Sequence, residues 1–199
     1  MLFESLFLFF LAIVLLYVFV LLLHTIGFLH TTQQHMASDV GQTFVSIIIP
    51  ARNEENIILT CLESIIKQNY PSTLFEVIIV DDHSEDNTNS ITQKFITQHT
   101  LHHISILTLD EKIRGKKNAL TQGINKAKGT LIITTDADCT RGTEWLSSII
   151  QFYEAHSPML IVSPVFLNHP NNFFQKMIFR NHLWIKHYFF NRQVFTHIF

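Results

Sequence analysis

The residues best equipped for chemistry fall in four short clusters. Asp136 and Asp138 flank Ala137 as a D-x-D. In extended backbone, residues two apart project to the same side, so both carboxylates can aim at one point. Paired hard oxygens suit Mg²⁺ or Mn²⁺, which take one or two protein carboxylates and complete their shell with water and phosphate oxygens. An ion so held can bridge a diphosphate and offset charge developing on it as it leaves. Asp81 and Asp82 form a second acidic pair, suited to accepting hydrogen bonds from a base or a ribose hydroxyl. Lys116 and Lys117, after Arg114-Gly115, can add positive charge beside phosphates. The fourth cluster is Pro50-Ala51-Arg52-Asn53-Glu54-Glu55.

Each cluster alone has an ordinary explanation. Asn53 with Glu54 and Glu55 can cap a helix and complement its dipole, and Asp82 or Ser84 can be an N-cap. Lys116 and Lys117 can be a solvated face, and short acidic tripeptides are common in turns. Their joint placement is harder to explain that way, and it depends on the elements that carry them. Val45-Ser46-Ile47-Ile48-Ile49 is β-branched and short, hence a strand, with Pro50 expected to end it. Ile57, Ile58, Cys61, Leu62, Ile65 and Ile66 repeat at helical spacing. Val77–Val80 reads as a second strand, Ile91 and Phe95 as a helix, and Ile104–Leu109 as a third strand. Ala119 to Ala127 reads as a helix stopped by Gly129, Leu131–Thr135 as a strand, Leu146 to Tyr153 as a helix, and Leu160–Val162 as a fifth strand. Strands alternating with helices predict an α/β fold, a mostly parallel sheet with helices on both faces. Ligands of such sheets bind beyond the carboxyl ends of the strands. Three of the clusters directly follow strands, and the lysines lie between the third and fourth.

The segments VSIIIPARNEENI, EVIIVDDHSEDNT, GKKNALTQGINKAKG and LIITTDADC, in that order, resemble the N-terminal half of family 2 glycosyltransferases. The resemblance covers roughly residues 44 to 166. It implies a GT-A (Rossmann-like) fold and a nucleotide-diphosphate sugar donor, usually UDP-linked, whose sugar passes to an acceptor hydroxyl. On this resemblance Pro50, Arg52 and Glu54 fall in the first nucleotide-contacting loop. Asp81 and Asp82 fall at the uridine. The metal motif falls on Asp136 and Asp138, with Asp136 also reaching the diphosphate. Members that build polysaccharides or glycolipids also place a transmembrane helix before a cytosolic domain.

The chain has such a segment. Leu6–Leu23 carries no charged or strongly polar group. At about 1.5 Å per residue it reaches roughly 27 Å, close to the hydrocarbon core of a bilayer. A cleaved signal peptide would need a basic n-region and a small-residue cleavage site; only Glu4 precedes the run, and His24-Thr25-Ile26-Gly27 is not A-x-A. Residues 1–30 are therefore expected to be a membrane anchor, 31–43 a linker, and 44–167 an incomplete donor-binding domain. Lys and Arg, which mark the cytoplasmic side, are absent near the run until Arg52. The sidedness, with the domain in the cytoplasm, follows only from the resemblance.

Composition supports the anchor and excludes other classes. Charged residues are 15 % and hydrophobic residues 47 %, with a formal net charge of −2, which argues against a nucleic-acid-binding tail. Cys61 and Cys139, the two cysteines, exclude a disulfide scaffold and fit a reducing compartment. An inverting transfer also needs a general base, which the family places well beyond the D-x-D. Only Glu144 and Glu154 follow Asp138, and there is no Q-x-x-R-W. Residues 168–199 hold Lys176, Arg180, Lys186 and Arg192, many aromatics and no acid. They are expected to be an interfacial or unstructured tail, and the chain a truncated enzyme. The alternative is a non-catalytic, membrane-tethered nucleotide-binding fragment or partner subunit.

Overall fold

A computed structural model of the chain describes residues 2–29, 41–163 and 187–191. It divides into two compact units, Met1–Ala37 and Ser38–Phe199. The first holds one helix, α1 (Leu2–Leu29). Its Phe3–Leu23 stretch has a mean hydropathy of 3.3, long and apolar enough to cross a membrane. From Phe3 to Leu23 its large apolar side chains are exposed all round, so no face is reserved for water.

In the second unit the strands are β1 (Val45–Ala51), β2 (Phe75–Asp81), β3 (Ile104–Thr108), β4 (Leu131–Thr134), β5 (Leu160–Ser163) and β6 (His187–Asn191). The helices are α2 (Ile58–Ile66), α3 (Thr88–Gln98), α4 (Lys116–Lys126) and α5 (Trp145–His156). The sheet order is β3-β2-β1-β4-β6-β5. Neighbouring strands from β3 through β4 pair in parallel.

Alternation along the central strands sorts their side chains onto two faces. Ile47, Ile49, Val77, Ile79 and Ile133 pack with Ile58, Cys61, Leu62 and Ile65 of α2, Phe95 of α3, and Leu146, Ile149 and Ile150 of α5. Ile48, Ile78, Val80 and Ile132 face the other way, onto Ala119 of α4 and Ala127. Two glycines permit this closeness. A Cβ on Gly123 would lie 2.4 Å from Ile48 Cγ2, and one on Gly129 would lie 2.4 Å from the backbone nitrogen of Ser46.

Two expectations are corrected. Pro50 does not end β1, which continues to Ala51. The β4 pairing stops at Ile48↔Thr134, and Ile48 O accepts the Thr135 N–H. Pro50 faces the same side two residues on, where no ladder remains to need its missing N–H. The second correction is β6, antiparallel to both β4 and β5, within the stretch expected to be interfacial or unstructured. Most of the expected linker, the boundary at 167 and the rest of the 168–199 tail lie outside the described residues.

Candidate functional site

The carboxyl ends of β1, β2 and β4 carry the predicted residues, and the loops that follow are tied to one another. Asn53 adopts a left-handed conformation (φ 56°). Its N–H donates to Ser84 Oγ (3.0 Å), and its Oδ1 accepts the Glu85 N–H (2.8 Å). The Glu54 N–H donates to Thr88 Oγ1 (2.7 Å) and the Glu55 N–H to Asp86 Oδ2 (3.1 Å). Glu55 Oε2 accepts the Asn87 N–H (2.9 Å), and Asp86 Oδ1 accepts the Thr88 N–H (2.9 Å). The acids thus cap the start of α3 across the loop pair. The N-cap of α2 is Ile57, with no side-chain bond, so Asn53-Glu54-Glu55 does not cap its own helix. Asp82 and Ser84 do not cap α3 either, whose N-cap is Asn87.

Asp81 and Asp82 are both buried. Asp81 Oδ1 accepts the Ser84 N–H (3.3 Å), and Asn89 Nδ2 lies 3.5 Å from Oδ2. Asp82 Oδ2 accepts the Gly115 N–H (2.8 Å), and its Oδ1 lies 3.4 Å from His83 Nδ1. Each carboxylate therefore already organises a neighbouring loop, while a carboxylate's several lone pairs leave room for a further donor. Gly115, with φ +98°, is the N-cap of α4, a conformation that favours glycine.

That cap delivers Lys116 to the D-x-D. Lys116 Nζ lies 2.6 Å from Asp136 Oδ1. Asp138 is exposed, with Cys139 Sγ 3.4 Å from its Oδ1. Burial, then the charges of Asp138, Asp86 and Asp136, push the Glu54 carboxyl up, so the first loop and the D-x-D share one negative patch. Arg52 and Lys117 are exposed and form no ion pair among the described residues. Pro50 is the last residue but one of β1, opposite Val80.

Mg²⁺ or Mn²⁺ fits this donor set. Asp136 and Asp138 are hard oxygen donors that reach solvent, and their charges add to burial in raising Glu54. No group of three or more His, Cys, Asp or Glu converges on a metal position among the described residues. Such an ion would therefore draw most of its shell from water and phosphate.

Cys61 and Arg141 support this edge from below. Cys61 Sγ is 3.8 Å from the Asp136 carbonyl oxygen. Arg141 donates to the Cys139 carbonyl (2.6 Å) and lies over the Trp145 ring, 4.8 Å from its centre. Burial and the neighbouring Asp138 push the Cys139 thiol up to about 11, and burial raises Cys61. Both thiols are neutral, as structural cysteines are. The sequence reading missed Asp86, Thr88 and Arg141, and gave Gly115 no role of its own. The signal for the first two was present in Ser84-Glu85-Asp86-Asn87-Thr88, a run of side chains that bond nearby backbone.

A family model described as glycosyl transferase family 2 matches residues 46–198. The chain belongs to that family. The match runs past Phe166, where the resemblance read from the motifs ends. The glycosyltransferase AglE of Haloferax volcanii is 33 % identical over 128 residues, covering 64 % of this chain and 41 % of AglE. Poly(ribitol-phosphate) beta-N-acetylglucosaminyltransferase TarS of Staphylococcus aureus is 31 % identical over 118 residues, 59 % of this chain and 20 % of TarS. The crystal structure of S. aureus TarS 1-349 in complex with UDP has a TM-score of 0.57 at 26 % identity, covering 65 % of this chain and 38 % of that one. The mannosyltransferase PcManGT of Pyrobaculum calidifontis, solved with GDP-Man and Mn²⁺, has a TM-score of 0.64 at 23 % identity over 84 % of this chain and 50 % of that one. At that identity the likeness is one of fold, and the fold is GT-A. This family 2 chain spans less than half the length of the two curated relatives.

Proposed function

We propose that the chain is the donor-binding part of a membrane-anchored family 2 glycosyltransferase. It takes a nucleotide-diphosphate sugar, UDP-linked, at the carboxyl edge of β1, β2 and β4. One observation carries the reading: side chains from four separate segments meet at this edge, with Lys116 on Asp136 and the Gly115 amide on Asp82. The UDP complex of TarS supports the choice of nucleotide. Asp81 and Asp82 hold the nucleoside, with Pro50, Arg52 and Glu54 lining the first loop. Lys116 and Lys117 face the diphosphate with Asp136. Asp136 and Asp138 hold Mg²⁺ or Mn²⁺, which when bound supplies positive charge to the diphosphate.

In the reaction so inferred, an acceptor hydroxyl oxygen bonds to the anomeric carbon. The bond from that carbon to the diphosphate breaks, and UDP leaves with the electron pair. The hydroxyl proton goes to a general base. The acceptor belongs to polysaccharide or glycolipid synthesis, and the domain lies on the cytoplasmic side, where nucleotide sugars are made, with α1 as an anchor.

One observation favours a second reading, a non-catalytic nucleotide-binding fragment or partner subunit. Glu144 and Glu154, the carboxylates after Asp138 among the described residues, are engaged elsewhere. Glu144 receives Asn69 Nδ2 (3.2 Å) and Ser147 Oγ (3.1 Å), and Glu154 Oε1 accepts the N–H groups of Gln42 (2.9 Å) and Thr43 (3.0 Å). Calorimetry of the full chain in detergent tests what the readings share: UDP binding that needs Mn²⁺ and disappears in Asp138→Ala. A folded sample that binds no UDP at any Mn²⁺ concentration refutes both. Sugar transfer or donor hydrolysis by this chain selects the first.

A further inference from the structure

We infer that Lys116 is a built-in placeholder for the cation at Asp136. It neutralises that carboxylate while the donor is absent and moves to the diphosphate when the donor binds. Cation and nucleotide then enter as one coupled event. The inference rests on the donor-site reading above and concerns how that site is filled.

Four observations lead to it. The Lys116 Nζ–Asp136 Oδ1 distance is 2.6 Å, a short charge-assisted contact. The backbone beneath the lysine is fixed: the Gly115 N–H is held by Asp82 (2.8 Å), and the Gly115 carbonyl accepts the N–H groups of Asn118 (3.0 Å) and Ala119 (3.1 Å). Above that base the lysine side chain is 62 % exposed, so it can swing without disturbing α4. The two carboxylates of the D-x-D are unequal: Asp136 is ion-paired, whereas Asp138 is exposed and, among the described residues, is hydrogen-bonded by the Cys139 thiol alone.

The consequence is a competition at one oxygen. A bare divalent ion meets one available carboxylate and one already neutralised by an ammonium. Displacing the ammonium into water gives the ion little advantage over staying hydrated. A diphosphate changes the balance, because it offers the ammonium new anionic oxygens and the cation new ligands together. Lysine suits such a transfer, being a flexible point charge with three rotatable donors. By linkage, the factor by which nucleotide tightens the cation equals the factor by which cation tightens the nucleotide.

The test titrates Mn²⁺ into the full chain in detergent, following the electron paramagnetic resonance of the free ion, with and without UDP. Wild type, Lys116→Met, Lys116→Arg and Lys112→Met are compared, the last removing an exposed lysine from the preceding loop. Circular dichroism checks that each is folded. Lys116→Met is expected to bind Mn²⁺ alone about two- to fivefold more tightly than wild type, the most that release of one exposed ion pair allows. UDP should then tighten Mn²⁺ less than it does in wild type. Lys112→Met should stay near wild type, and Lys116→Arg, which keeps a cation there, should bind Mn²⁺ alone less tightly than Lys116→Met. Equal or weaker binding of Mn²⁺ alone by Lys116→Met, in protein that binds UDP with Mn²⁺, overturns the placeholder and leaves the donor-site reading standing. The same tightening in Lys112→Met also overturns it, since general surface charge then accounts for the effect. Wild type that binds no UDP with Mn²⁺ overturns the donor-site reading and the coupling with it.

Discussion

The bond from the Gly115 amide to Asp82 should be the main tether of α4 to the rest of the site, and Asp82→Ala measures it. The acceptor is a buried carboxylate and the bond is 2.8 Å. A hydrogen bond to a charged group contributes about 1.5–3 kcal/mol, and a buried donor left unpaired costs a similar amount. Gly115 is only partly buried, so water reaches its amide in the variant. That favours the lower half of the range, about 2 kcal/mol. For a domain between the small and large size classes, each kcal/mol moves Tm by roughly 3–5 °C, so Asp82→Ala should melt about 6–10 °C lower. Asp82→Asn keeps an acceptor oxygen and loses the charge, so its loss should be about half as large. Thermal unfolding of the full chain, followed by circular dichroism, reads both. The same variants then report on UDP at temperatures well below either transition. Asp82→Ala melting within about 1 °C of wild type, far below the shift expected of a charge-assisted bond, would refute the tether. Equal losses in the Ala and Asn variants would assign the effect to the charge rather than to the bond.

Other positions give independent checks. Gly129→Ala places a Cβ 2.4 Å from Ser46 N and 2.8 Å from Val45 C, both backbone, and should destabilise by about 1–3 kcal/mol in denaturant unfolding. Gly115→Ala meets no atom within 4 Å, so any loss there comes from its φ of +98° alone, on the order of 1–3 kcal/mol, and a loss near zero would mean that the α4 cap rearranges. Burial, then the charge of His102, holds the His103 imidazole below its ordinary value. Its contribution is full above about pH 6.5 and is lost as pH falls toward the folded value, so His103→Phe should flatten the decline in stability below about pH 6.5. Glu154→Ala removes the oxygen that holds the Gln42 and Thr43 amides, and hydrogen exchange at residues 42 and 43 should speed up while that at Ile47–Ile49 does not.

The parallel half of the sheet was legible because its signal is local. Val77–Val80 is a continuous apolar run and Val45–Ile49 is broken only by Ser46, as strands covered on both faces should be, and turn residues punctuate them. Even so, Pro50 misled at the boundary. A proline is excluded only where its missing N–H would be needed, and that depends on how far β4 runs beside β1. No reading of β1 alone contains that length. The strand β6 was invisible for a related reason. His187-Tyr188-Phe189-Phe190-Asn191 has neither alternation nor flanking turn residues, and its place comes from pairing with β4 and β5, both distant in sequence.

The candidate site divides along the same line. Which residues gather at the edge follows from the order of strands and helices, because every loop after a parallel strand must emerge on one side. How they are engaged does not follow. From sequence, Asp82 and Lys116 are two side chains available to a ligand. In the fold each already has a partner, and both partners tie the start of α4 to the sheet, one at the end of β2 and the other just beyond β4. Residues 115 and 116 therefore sense both acidic clusters at once. A ligand that draws Lys116 from Asp136 leaves the Gly115 bond to Asp82 as the remaining tether of the α4 start. The two contacts should consequently be unequal in function: the buried amide bond persists through binding, and the exposed ion pair is the one that exchanges. Removing Asp82 should lower stability whether or not nucleotide is present, whereas removing Lys116 should alter cation affinity with little change in Tm, since exposed ion pairs contribute about 0–1 kcal/mol.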